Sequence, residues 1–167
     1  VIKQTLFFPD LPESFDGTSI THISDIHSGS FDNPEKIEYA IDLINEQNSD
    51  LVLFTGDIVN THATEMHPWV ETCKKIHNPV LGKYSILGNH DYGEYSDWNS
   101  DEAKEENFIA IKDLHRQIDF KLLLNENIRI QKNNDSIRLV GVENWGKHFK
   151  KAGDLNIASE SISNDEF

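Results

Sequence analysis

The chain has 167 residues, enough for one domain with a core of its own, with 37% apolar and 26% charged side chains. Its net charge of −14 repels nucleic-acid backbones and anionic membranes, so we expect no nucleic-acid binding by charge; a phosphate substrate requires cations that reverse the local field. The single cysteine, Cys73, excludes an internal disulfide and a thiolate metal cluster, so any metal site uses oxygen and nitrogen ligands.

Residues 2–8 alternate loosely up to Pro9 and read as an edge strand, followed by a loop over 10–17. Ser19 to Ser24 reads as the first core strand. Pro34 at the first helical position, with Asp32 and Asn33 as cap candidates, starts a helix whose Ile37, Ala40, Ile41 and Ile44 form an apolar stripe. Leu51 to Thr55 is an apolar run suited to a strand buried on both faces. A helix is expected over 67–77, with Met66, Trp69 and Val70 in the core, and a third strand over Lys83 to Leu87.

A polar loop spans 92–100 and carries Tyr92, Tyr95 and Trp98, which form either an aromatic wall beside a site or a loop minicore. Ser100 caps a helix over 101–117 with Phe108, Ile111 and Leu114 on its apolar face. Strands follow over 120–124 and 127–132, then a turn at Asn133-Asn134-Asp135 leading into Ile137 to Val142. Residues 143–153 read as a loop, with Glu143-Asn144-Trp145 as a structural turn or a further wall of the cleft, and 154–162 as a short helix. His77, His115 and His148 read as surface or helix-end residues.

Three segments carry chemistry. Asp25 and His27 are two apart after a strand, so both point the same way in extended backbone and can grip one cation. The alternative is a surface Asp beside a partly buried His. Gly56 and Asp57 follow the apolar run Leu-Val-Leu-Phe directly, and an anionic carboxylate at a buried strand end is costly unless paired or metal-bound. Asp57 can bridge two cations, and Asn60 can tie down its loop; otherwise Asp57 caps a turn. In Gly88-Asn89-His90-Asp91, the neutral Asn89 oxygen suits a cation already surrounded by negative charge. His90 suits a leaving oxygen or a transferring phosphoryl group, and Asp91 a supporting role behind the ligands. His62 is near enough to contact substrate, although a solvated loop residue is the plainer reading. Asp25 to Asp57 and Asp57 to Asn89 are each 32 residues, about one strand–helix–strand step, which sets the three loops side by side on one rim of a parallel sheet.

Asp25-x-His27, Gly56-Asp57-x-x-Asn60 and Gly88-Asn89-His90-Asp91 resemble the first three sequence blocks of the calcineurin-like metallophosphoesterase superfamily. The stretch His22 to Ser30 is also similar to bacterial members with an N-terminal membrane segment or export signal. The resemblance implies an α/β fold, half of an α/β/β/α double-sheet sandwich with a mixed sheet and helices on one face. It implies a hydrolase of phosphomonoesters, phosphodiesters or pyrophosphates that uses a hydroxide activated by two divalent metals (Mn, Fe, Zn or Mg). In it, Asp25 and His27 bind the first metal, Asp57 bridges, Asn89 binds the second, and His90 serves the leaving group or phosphate as catalytic residue.

The superfamily's later blocks, a Gly-His or Ser-His strand end and a Gly-His-x-His loop, do not occur in residues 1–167. We therefore expect one domain, truncated before its C-terminal half, with an incomplete site that is inactive alone. The partner is then the missing half of the same protein, or a second copy docked on the exposed sheet face. The start at Val1 without a methionine leaves room for an upstream signal or anchor, so location stays open between cytoplasm, membrane and export. The competing reading is a non-catalytic binding or scaffold module that kept part of the site.

Overall fold

Four short strands set the architecture, and the one apolar throughout, Leu51–Phe54, is flanked on both sides. In the computed structural model, which describes residues 1–146, 150–163 and 165–167, β1 (Ile20–Ile23), β2 (Leu51–Phe54), β3 (Lys83–Ser85) and β4 (Lys121–Leu122) form a parallel sheet in the order β1-β2-β3-β4. Ile23 pairs with Phe54, Phe54 with Ser85, and Ser85 with Leu122, so the C-terminal ends of the strands lie level.

Side chains alternate across β2. Val52 and Phe54 join Ile41 of α1 (Pro34–Asn45), Val70 of α2 (Val70–Cys73) and Ile111 and Leu114 of α3 (Asp101–Gln117) in the larger core. Leu51 and Leu53 lie in a second core with Phe15, Ile130, Ile128 and Leu139. The last three belong to an antiparallel pair, β5 (Glu126–Lys132) and β6 (Asp135–Gly141). The layers are therefore helices, a four-stranded parallel sheet and a two-stranded antiparallel sheet. The parallel and antiparallel strands belong to separate sheets, because the chain leaves β4 at Leu123 and crosses to the other face of β2.

Local signals act as the sequence indicates at several places. Asn33 caps α1, its Oδ1 accepting from Lys36 N at 3.2 Å, with Pro34 at the first position. Of the apolar stripe, Ile41 is buried, Ile37 and Ile44 are partly buried, and Ala40 faces solvent. Ser100 Oγ caps α3, accepting from Ala103 N at 3.2 Å. Met66 and Val70 are buried, and Trp69 packs edge-on against Phe31. Cys73 is buried in the larger core, where desolvation pushes its thiol up to about 11.

Other expectations are corrected. Residues 2–8 form no strand: they lie exposed, and no described strand pairs with them. The helix expected over 67–77 is instead a 3-10 turn over Ala63–Trp69 followed by the single α-turn of α2, because Pro68 has no N–H to continue a regular ladder. The C-terminal helix is only Leu155–Ala158 (α4), capped by Asp154. His115 lies in the last turn of α3 but is fully buried, its ring stacked on Phe54. His148 lies outside the described residues. No helix among the described residues is long and apolar enough to cross a membrane.

Candidate metal centre

Level strand ends bring the three motif loops together, and bonds between the loops close the remaining distance. Asp25 N donates to Gly56 O (3.2 Å), His27 N to Asp57 O (2.9 Å) and Ser28 N to Ile58 O (3.1 Å). Asp25, His27 and Asp57 all sit at positive φ (54°, 47° and 57°), a backbone region that costs non-glycine residues energy. Gly56 also has positive φ, and a Cβ there would strike the backbone of Gly88; a Cβ on Gly88 would strike Asp57. Glycine is thus required at both positions for the second and third loops to touch.

Asp91 holds that contact from beneath. It is fully buried; its Oδ2 accepts from Asp57 N and Gly88 N, and its Oδ1 from Ile58 N, each at 2.9 Å. Burial pushes its carboxyl up to about 7. The Gly88 N–H opposes this, the Asp57 charge adds to it, and the N–H groups of Asp57 and Ile58 pull down.

Above Asp91 lie the polar tips. His27, Asp57 and His90 each place one potential ligand atom within 4.8 Å of the others. His27 Nε2 is 3.7 Å from Asp57 Oδ2 and 3.9 Å from Asp25 Oδ1. With metal–ligand bonds near 2.1 Å, two donors on one cation lie about 3 Å apart at right angles and about 4.2 Å apart when opposed, so these spacings fit a shared divalent ion. The donors are carboxylate oxygen and imidazole nitrogen, which suit hard or borderline cations. His90 Nδ1 is 2.7 Å from Asn60 O, a pure acceptor, so Nδ1 carries a proton and donates it there. The backbone N of His90 donates to Asp57 Oδ1 at 2.9 Å. His90 thus stands inside the ligand cluster, closer to it than a role at the leaving group alone requires.

Asp25 is the outer member, with Ser24 Oγ donating to its Oδ2. Asn89 donates from Nδ2 to the Tyr95 hydroxyl at 2.6 Å. Asp25, Asp57 and Asn89 line one side of an open cavity of about 470 Å³, faced by Val142, Glu143 and Trp145. The Glu143 carboxylate accepts from Tyr92 O–H (2.8 Å) and Asn125 Nδ2 (2.9 Å), which anchors the loop after β6 at this wall. Burial raises the Tyr92 pKa, and the bond to Glu143 raises it further.

Asn60 does not bond Asp57. Its side chain reaches Ser30 Oγ (3.1 Å), tying the second loop to the first, while its carbonyl locks His90. His62 packs against Trp98, with ring centroids 4.9 Å apart, and is not a member of the His27–Asp57–His90 cluster. Glu65 is a residue that sequence reasoning passed over: it accepts from Asn60 N (2.6 Å) and His62 N (2.9 Å) and so shapes the loop that carries the locking carbonyl. Its place three residues after the N-cap His62 has the spacing of a capping box, the signal that could have found it.

A family model for the calcineurin-like phosphoesterase matches residues 18–160. The chain belongs to the calcineurin-like phosphoesterase family. It is 38% identical over 87 residues to an uncharacterized metallophosphoesterase, YkuE, of Bacillus subtilis (strain 168), an alignment covering 51% of this chain and 30% of the relative. It is 34% identical over 82 residues to a transmembrane protein with metallophosphoesterase domain of Danio rerio, covering 49% and 18%. Against a Bos taurus protein of the same name it is 28% identical over 167 residues, covering 93% and 34%. The chain thus spans about a third or less of the length of these relatives. The three zipped loops lie within the matched residues and meet at one rim.

Proposed function

We propose that this chain contributes half of the active site of a metal-dependent phosphoester hydrolase, one that acts on a phosphomonoester, a phosphodiester or a pyrophosphate. The observation that carries the reading is the convergence of His27, Asp57 and His90 within 4.8 Å, beside a cavity walled by Asp25 and Asn89. Two divalent cations held there would supply the positive charge that a phosphate ester needs in so acidic a chain, and would lower the pKa of water. Asp25 and His27 would hold the first, the buried Asp57 carboxylate would be shared, and Asn89 would serve the second. His90, its Nδ1–H fixed on the Asn60 carbonyl, would stabilise charge on the phosphoryl group or leaving oxygen. Asp91 and Asn60 position these groups without contacting substrate. His62 stands further out and contacts substrate only beyond the ester. Residues 1–167 act as one unit of that enzyme, and the remaining imidazole ligands come from further chain or from a second copy docked on the open sheet face.

The test is made on the full-length protein, stripped of metal and reloaded with Mn, Zn or Mg. Hydrolysis of a chromogenic phosphomonoester, a chromogenic phosphodiester or pyrophosphate is expected, with Asp57→Asn losing at least about 100-fold in kcat/KM. Stoichiometric cation binding with no hydrolysis of any of the three overturns the reading and leaves a non-catalytic metal-binding module.

A further inference from the structure

The loop after Asn89 and His90 folds back over both of them, and one side chain makes the contact. The ring of Tyr95 lies flat on the His90 imidazole, with centroids 4.1 Å apart and planes within 11°. Its hydroxyl oxygen is the 2.6 Å acceptor of the Asn89 Nδ2 bond. The loop that presents Tyr95 is itself closed: Trp98 Nε1 donates to Gly93 O at 2.7 Å, and Lys104 Nζ pairs with Glu94 at 2.7 Å. His90 is held on its other sides by the Asn60 carbonyl and by the His27 ring, edge-on at 4.6 Å.

A carboxamide has one face that can hold a cation and one that repels it. The oxygen carries the lone pairs; the nitrogen carries two N–H donors and no acceptor. The flip state of Asn89 therefore decides whether it is a ligand at all. With Nδ2 committed to Tyr95, Oδ1 is the atom left for the cavity that Asn89 lines. The reverse flip turns the amide N–H groups toward a cation.

We propose that Tyr95 is a positioning residue of the metal centre: its hydroxyl sets the Asn89 carboxamide oxygen toward the second cation, and its ring fixes the tilt of His90. This rests on the phosphoester-hydrolase reading given above. Two separable effects follow from one side chain. The hydroxyl governs affinity for the second cation, and the ring governs the rate once both cations are bound.

The experiment uses the full-length protein, metal-free, titrated with Mn(II) and followed by electron paramagnetic resonance. Tyr95→Phe keeps the ring and removes the hydroxyl. It is expected to leave the first Mn(II) unchanged and to weaken the second about five-fold, the scale of one neutral hydrogen bond. Saturating Mn(II) then restores its kcat on a chromogenic phosphodiester, whereas Tyr95→Leu stays slower at saturation. The Asn89 side-chain amide resonances shift in Tyr95→Phe while the melting temperature holds. The proposal is overturned when Tyr95→Phe binds both Mn(II) ions as the wild type does with the Asn89 resonances unmoved. It is equally overturned when both affinities and the melting temperature fall together, as a general loop defect demands, or when the wild type binds a single ion. A wild type that binds two ions without hydrolysis overturns the functional reading alone, and the Mn(II) arm still decides the role of Tyr95.

Discussion

Acid should destabilise this protein through one histidine that has no part in its site. His115 is fully buried, and both its ring nitrogens lack a hydrogen-bond partner among the described residues. Burial pushes its pKa down to about 3 from an ordinary value of 6.5. Above pH 6.5 the ring is neutral in both the folded and the unfolded chain, so it contributes no pH dependence. As pH falls below 6.5 the unfolded chain takes up a proton that the folded chain refuses, and stability drops by about 1.4 kcal/mol per pH unit until about pH 3. At pH 5 the loss is about 2 kcal/mol. Asp91 works against this in the same window: its carboxyl, pushed up to about 7, binds a proton in the folded state first. A single pH profile therefore mixes opposite signs, and a double difference separates them. Urea unfolding of the wild type and of His115→Phe at pH 7.5 and pH 5.0 should show the wild type losing about 2 kcal/mol more on acidification than the variant. Equal losses in the two proteins would refute the reasoning and mean that the ring nitrogens reach water.

Asp91→Asn turns an amide N–H₂ against backbone N–H groups that now donate to a carboxylate. It should cost about 2–3 kcal/mol in urea unfolding and reduce Mn(II) binding, since the second and third loops lose their shared acceptor. Gly88→Ala drives a methyl into Asp57. We expect about 1–3 kcal/mol of destabilisation by calorimetry, and loss of Mn(II) binding that persists below the melting temperature. Tyr92→Phe removes the donor to Glu143 Oε1. It should cost about 2 kcal/mol in urea unfolding, and crystallography of the variant should show the Glu143 carboxylate displaced in the cavity.

The rim was legible because its cause is local and repeated. The second motif strand is a short apolar run that stops at a polar tip, and equal 32-residue steps give parallel neighbours in order. The caps at Asn33 and Ser100 were legible for the same reason, since a cap bonds to a residue three positions away. Residues 2–8 show the limit: their alternation is that of a strand, but a strand exists only with a partner, and no local pattern supplies one. His115 was legible in principle. It stands at i+7 from Phe108 and i+4 from Ile111, on the core face of α3, and was passed over because a polar side chain was assigned to the surface by type. Asn60 reads as tying down its own loop, but its side-chain contact, Ser30, is 30 residues away in another loop, which no local pattern shows. The sequence leaves Tyr95 open between wall and minicore, and the structure places it on His90 and Asn89 while Tyr92 takes the interior, stacked on Phe108.

The strained backbone at the rim indicates how the site is held. Three non-glycine residues at positive φ cost about 1 kcal/mol or more each, and such strain persists only where surrounding contacts over-determine it. Those contacts are three backbone bonds between the first and second loops, three donors on Asp91, and the Asn60 carbonyl on His90. None of them uses a ligand atom that a cation needs, apart from the Asp57 Oδ1 that accepts from His90 N. The polar tips are therefore aimed by hydrogen bonds between the loops. A site built in this way would take up ions with little reorganisation, which is what transition-state stabilisation by fixed charge requires.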